Sequence, residues 1–147
     1  MTPEALVSFL HDNIPLSRAM DVSVTSASAA QVVLEAPLEP NINVHGTMFG
    51  GSVATVGLLA AWSVMHLRLE DEGIKCQLVI HRTETEYLLP VSGCVTASAV
   101  LDTSGWDHFR DMFTRRGKAR LTVTAELLHN GQVAARLTGE FVAIAER

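Results

Sequence analysis

Apolar residues recur along the chain at two spacings, one helical and one strand-like, and the switches between them outline the fold. Leu6, Phe9 and Leu10 follow a Thr2 cap and a Pro3 start, which predicts a short amphipathic helix over Pro3–Asp12, expected on the outside of a sheet. Val22–Ser26 and Gln31–Pro37 are rich in Val, Ser and Thr and read as adjacent strands, after which Pro37, Pro40 and the asparagines open a loop. From Met48 to Leu67 no side chain carries a formal charge, and a helix is predicted from a Ser52 cap to about Leu69, ended by the Glu70–Gly73 turn. Lys75–Leu89, Gly93–Thr103, Ala119–Asn130 and Gln132–Ala145 then read as strands, and Asn130-Gly131 favours a tight hairpin turn between the last two.

This order predicts an α+β domain in which an antiparallel sheet wraps around one long apolar helix. The strands after the helix are joined by short connections, so a parallel sheet with crossover helices is excluded. The apolar run is long enough to span a bilayer, but it contains Gly50, Gly51, Ser52, Thr55, Gly57, Ser63 and His66 and lacks a basic flank on its N-terminal side. A helix apolar on every side is equally what a curled sheet encloses, and no membrane association is expected. Such a sheet leaves the Lys75–Leu89 strand with an open edge, which pairing with a second copy would cover.

The length of 147 residues suits one domain over 1–147. A formal net charge of −5 argues against nucleic acid as a partner. Cys76 and Cys94 match no zinc or redox spacing, and the six histidines form no metal-binding pattern, so no metal site is predicted. The N-terminal segment has no signal-peptide character, and two free thiols fit the cytoplasm.

Two motifs then carry a resemblance. The stretch Asn43-Val-His-Gly-Thr-Met-Phe-Gly-Gly-Ser52, entering the apolar helix, resembles the loop-to-helix entry of hotdog-fold thioesterases, and Tyr87-Leu-Leu-Pro90 is similar to the Tyr-x-x-Pro that closes the next strand in many of them. Within that superfamily the chain looks most like the thioesterase-like domain found C-terminal to an acetyltransferase domain in some bacterial proteins. The resemblance implies a hotdog fold, a homodimer or higher homo-oligomer with its site at the subunit boundary, and an acyl-CoA or acyl-carrier-protein thioester as substrate. No cofactor is implied beyond the coenzyme A that is part of such a substrate.

A helix N-terminus presents unpaired amides and the positive end of a dipole to a thioester carbonyl, and Gly50 and Gly51 let an acyl group approach that backbone. Their bland role is a tight turn with close packing. Asn43 takes the place of an asparagine that orients substrate or water in the resembling enzymes, or else makes an Asx turn. Those enzymes carry a helix carboxylate where this chain has Leu58, so a base must come from elsewhere. His45, Glu84 and Glu86 are the candidates, an imidazole being able to exchange a proton near neutral pH, although a loop histidine can equally be structural and the strand carboxylates simply solvated. Thr47, Phe49, Ser52, Thr55 and Tyr87 are candidate substrate contacts around the entry.

The segment Ser104–Gly117 holds Trp106, His108, Phe109, Met112 and Phe113 and is expected to pack as a short helix or a lid. Behind it Arg115, Arg116, Lys118 and Arg120 make a basic cluster that suits the phosphates of coenzyme A or an acidic carrier protein, or pairs locally with Asp107 and Asp111. Three functions stay open: a thioester hydrolase, a non-catalytic acyl-CoA-binding module, and a hydratase or dehydratase of the same fold.

Overall fold

A computed structural model describes residues 1–146. Its elements run α1 (Pro3–Asn13), α2 (Pro15–Ala19), β1 (Ser23–Ala27), β2 (Gln31–Ala36), α3 (Gly50–Asp71), β3 (Cys76–Tyr87), β4 (Val95–Val100), α4 (Trp106–Arg116), β5 (Lys118–His129) and β6 (Gln132–Ala145), with single 3-10 turns before α3 and α4. All six strands join one antiparallel sheet in the order β1-β2-β4-β5-β6-β3. Val32, Leu34 and Ala36 of β2, Val95, Ala97 and Ala99 of β4, and Val123, Ala125 and Leu127 of β5 all point inward, the alternation of a sheet buried on one face. The Asn130–Gly131 turn forms as predicted, both residues taking positive φ (51° and 75°), as a two-residue type I′ hairpin demands.

The inner face encloses α3, whose Val53, Val56, Leu59, Ala60, Ala61, Val64, Met65 and Leu67 are all buried in the core. The helix sits close to the sheet because position 57 is glycine: a Cβ there would meet Leu127 Cδ2 at 3.0 Å and Leu137 Cβ at 3.3 Å. It is the one described helix long and apolar enough to cross a membrane, and most of its apolar window is buried by the rest of the chain.

Three expectations need correction. The Pro3–Asn13 helix does not lie outside the sheet; Leu6 and Leu10 enter the core, and Phe9 stacks on His66 and Trp62 of α3 at centroid distances of 4.9 and 6.2 Å. Ser52 does not cap α3. The amide of Met48 donates to Val91 O and that of Phe49 to Asn41 O, which holds Phe49 extended (φ −55°, ψ 132°) and starts the helix at Gly50 without a side-chain cap. The fourth strand is also shorter than Gly93–Thr103, since the Ser92–Cys94 backbone turns around His129, whose Nδ1–H donates to Cys94 O at 2.9 Å.

Segment Ser104–Gly117 forms the expected helix, ended by Gly117 in the left-handed conformation (φ 68°). α4 docks on the C-terminal end of α3. Trp106 and Phe109 are buried beside each other, and Arg68 lies over the Trp106 ring at 5.1 Å. Burial works against the charge on Glu72, but hydrogen bonds from Arg68 and Arg110 outweigh it and hold that carboxyl below the usual carboxylate range.

His66 lies between Phe9 and Trp62, and its Nε2 is buried without a hydrogen-bond partner. Burial pushes its pKa below the ordinary histidine value, against a smaller opposing effect of Glu70. The unfolded chain therefore binds a proton more readily than the folded one, so stability should be full above about pH 6.5 and fall as the pH drops toward the lowered folded value. Urea midpoints measured from pH 7.5 to 5 should show this decline, and His66→Phe should flatten it; an equal decline in the variant would remove His66 as its cause.

Candidate functional site

The first turn of α3 is open. Ser52 and Val53 amides both donate to Phe49 O, at 2.9 and 3.1 Å, whereas Gly50 and Gly51 have no carbonyl one turn earlier to receive theirs. Beside this turn lies a groove of about 270 Å³ walled by Met48, Val53, Tyr87, Leu88, Leu89 and Val91. Tyr87 joins its two sides, its hydroxyl donating to Gly50 O at 2.8 Å, and a Cβ at position 50 would rest on the Tyr87 ring at 3.5 Å. Gly51 is tighter: its ring neighbour is Phe49, which a Cβ would meet at 2.4 Å. Phe49 is itself 58% exposed, so its ring is a movable cover over Gly51. Thr55 turns its hydroxyl back onto Gly51 O at 2.7 Å, and Ser52 is half-buried in the first turn.

The loop before the helix is a miniature hairpin bridged at Ile42 and Met48. Asn43 holds it closed. Its Oδ1 accepts from the His45 amide at 2.8 Å and the Thr47 amide at 3.2 Å, while its Nδ2 donates to Thr47 Oγ1 at 2.9 Å. Gly46 completes the bend at φ 79°. Asn43 thus makes an Asx turn that shapes the loop, and Thr47 serves the same network. His45 stands exposed at the hairpin tip beside Val44, which is 94% exposed.

The carboxylate candidates are not at the helix entry. Tyr87, Thr85 and Thr83 pair with Ala135, Leu137 and Gly139 on the inner face, while Glu86 and Glu84 pair with Arg136 and Thr138 and so face outward. Glu86 belongs to a charged lattice in which Arg136 bridges to Glu126 at 3.5 Å. α3 carries no acid before Glu70, and Leu58 is half-buried where the resemblance places one.

The basic cluster is likewise remote from Gly50 in the same chain. Arg115 pairs with Asp111 at 3.3 Å and Arg120 with Glu140 at 3.6 Å, while Arg116 and Lys118, with His108 and Met112, line a groove of about 520 Å³ beside α4. α4 contacts α3 at Glu72 and Arg68, so the 22 residues of α3, about 33 Å of helix, separate this groove from Gly50. Sequence reasoning did not single out Met48, Leu88, Leu89 and Val91 as walls of the groove; the only signal for them was their place beside the Gly-Gly and Tyr-x-x-Pro runs.

Fold and site together define a hotdog-class domain of thioesterase type. Over residues 4–145 the chain matches the family model described as "putative thioesterase (yiiD_Cterm)", and it belongs to that family. It is similar to a protein of unknown function from Chlorobaculum tepidum TLS, with 29% identity and a TM-score of 0.92 over 99% of this chain and 98% of that one. A putative thioesterase from Shewanella oneidensis matches at 26% identity and a TM-score of 0.85, over 97% and 96% of the two chains. A thioesterase from Haemophilus influenzae shares the fold at 14% identity and a TM-score of 0.77, over 99% and 92%.

Proposed function

We propose that the chain hydrolyses acyl thioesters carried on coenzyme A or a carrier protein, with the carbonyl oxygen held by the Gly50 and Gly51 amides. The observation behind this reading is the uncapped start of α3, where the Gly50 and Gly51 amides lack intrahelical acceptors and Gly50 lines an apolar groove. As water adds to the thioester carbon, negative charge builds on the carbonyl oxygen, and fixed amide dipoles stabilise it without reorganising. Phe49, Tyr87 and the groove walls would hold the acyl part. Asn43 and Thr47 keep the loop in place, and His45 at its tip is the candidate to take the proton from water. A homodimer paired through β3 supplies the opposite wall of the site.

The position of Leu58, together with the outward direction of Glu86, favours one other reading: a module that binds acyl-CoA without turning it over. Free-thiol release from short, medium, long and aromatic acyl-CoAs separates the two. Turnover is expected for the wild type, with Asn43→Ala about tenfold slower because the loop loses its hydrogen-bonded frame, and Asn43→Asp, which keeps the acceptor for both amides, close to wild type. Saturable binding without thiol release from either acyl-CoA or acyl-carrier protein would establish the non-catalytic reading instead.

A further inference from the structure

At the end of the sheet marked by the Asn130–Gly131 turn, a groove of about 620 Å³ is lined by Glu35, Ser92, Cys94, Thr96, Leu128 and His129. Glu35, Thr96 and Leu128 are paired neighbours that alternate along their strands with the buried Leu34, Val95 and Leu127, so this groove lies on the outer face. It is separate from the groove at Gly50. Val91, a wall of that groove, is buried, whereas Ser92 is exposed and lines the outer one.

Here Ser92 Oγ stands 3.2 Å from His129 Nε2. The other ring nitrogen decides the tautomer: Nδ1 lies 2.9 Å from Cys94 O, which can only accept, so Nδ1 carries the proton and Nε2 accepts from the Ser92 hydroxyl. Asn130 Nδ2 also donates to Nε2, at 3.3 Å, and holds the ring in the same form. Glycine at position 93 is what admits the ring, because a Cβ there would meet His129 Cε1 at 3.1 Å. A hydroxyl, a base within hydrogen-bond reach and a third group orienting the base are the parts of an activated nucleophile. The Gly93 amide, next in the chain, has no backbone or side-chain acceptor among the described residues and is available to an oxygen that gains charge.

Two neighbours set what such a nucleophile takes. Glu35 is half-buried and makes no ion pair among the described residues, so the groove holds one unpaired carboxylate and no lysine or arginine. Burial, and then the Glu35 charge, push the Cys94 thiol above its ordinary pKa against a smaller effect of the Ala36 amide, which keeps it protonated and a poor competitor.

We infer that Ser92 is the nucleophile of a second acyl-transfer site, with His129 as its base and small carboxylic esters, cationic ones above all, as its substrates. Ser92 Oγ adds to the ester carbonyl carbon as its proton passes to His129 Nε2. The bond from that carbon to the alcohol oxygen then breaks, and the alcohol leaves with the proton. Water repeats the exchange on the acyl-serine, releasing the acid and restoring Ser92. None of these steps depends on thioester turnover at Gly50.

Acetylation by para-nitrophenyl acetate tests the site, read as nitrophenolate release and as an acetyl group located by peptide mass. The wild type should carry the acetyl group on Ser92 and release nitrophenolate at least about tenfold faster than Ser92→Ala, an exposed substitution that leaves the core untouched. His129→Gln should slow acetylation of Ser92 by a similar factor. So should Gly93→Ala, which crowds the ring while keeping both partners, and thermal midpoints measured beside the rates show that the hairpin holds in each. Trimethylammoniophenyl acetate should outpace phenyl acetate by more in the wild type than in Glu35→Gln. A wild type unlabelled at Ser92, or labelling as fast in His129→Gln and Gly93→Ala as in the wild type, would overturn the site. An ester preference unchanged in Glu35→Gln would overturn its cationic class.

Discussion

Trp106→Ala is expected to destabilise the chain by about 3–5 kcal/mol, the usual cost of emptying a buried aromatic site. The ring is 1% exposed, stacks on Phe109 at 4.8 Å and carries the Arg68 guanidinium on its face at 5.1 Å. Truncation removes that packing and leaves Arg68 without the surface it rests on, although its pairing with Glu72 survives. The midpoint of thermal unfolding should fall by about 10 °C. Trp106→Phe, which keeps an aromatic plane against Phe109 and Arg68, should lose less than half as much. A loss below about 1 kcal/mol in Trp106→Ala would mean that α4 is a surface appendage whose removal the core does not feel. Because the Arg115–Asp111 and Arg110–Asp107 pairs lie within α4 itself and only Arg110 bridges out of the helix, to Glu72, it is Trp106 and Phe109, with Met112 and Phe113 packed beside them, that fix α4 in place.

The sheet and its helix were legible in the sequence because burial on one face leaves a period-two trace and full burial leaves an uninterrupted apolar run. β6 begins at Gln132 and ends at Ala145 as read, and the Asn130-Gly131 turn follows from a dipeptide that readily accepts two positive φ angles in succession. α1 was legible as a helix but not in its placement: Leu6, Phe9 and Leu10 look the same whether they cover a sheet or a neighbouring helix, and only tertiary contact with Trp62 and His66 decides.

The site was less legible. Gly50, Gly51 and Tyr87 do come together, joined by the hydrogen bond from Tyr87 to Gly50, although they are far apart in the chain. Ser52 misled because a serine after two glycines is a good cap by composition, while the true start is imposed by two long-range backbone bonds, from Met48 to Val91 and from Phe49 to Asn41, which no local pattern encodes. Glu86 was a reasonable candidate by proximity to Tyr87, yet adjacent residues on a strand face opposite ways, and only the inward direction of Tyr87 tells which of the two sees the helix. The cluster Arg115, Arg116 and Lys118 lies at the end of α4, which docks on the C-terminal end of α3, so the length of α3, about 33 Å, separates it from Gly50, a distance that no local pattern reveals.

Gly51→Val should reduce turnover of acyl thioesters by about 100-fold while leaving the fold nearly as stable as before. Position 51 is exposed and its φ is not in the left-handed region, so a branched residue there meets no backbone strain and fills no core space. The new Cβ would lie 2.4 Å from the Phe49 ring as it now stands, and that ring, largely solvent-exposed, can swing aside. What cannot be relieved is the loss of room over the Gly50 and Gly51 amides. A carbonyl oxygen must come within about 3 Å of those donors for their dipoles to stabilise its developing charge, and a displacement of about 1 Å is enough to forfeit most of that stabilisation. Gly51→Ala should fall between Val and wild type, whereas Gly50→Ala, whose Cβ would rest at 3.5 Å from Tyr87 without a clash, should be the milder of the two alanine variants. Turnover measured beside thermal midpoints separates the causes. Slow hydrolysis with an unchanged midpoint places the thioester at this helix start, and a Gly51→Val protein that hydrolyses as fast as wild type would move the site elsewhere.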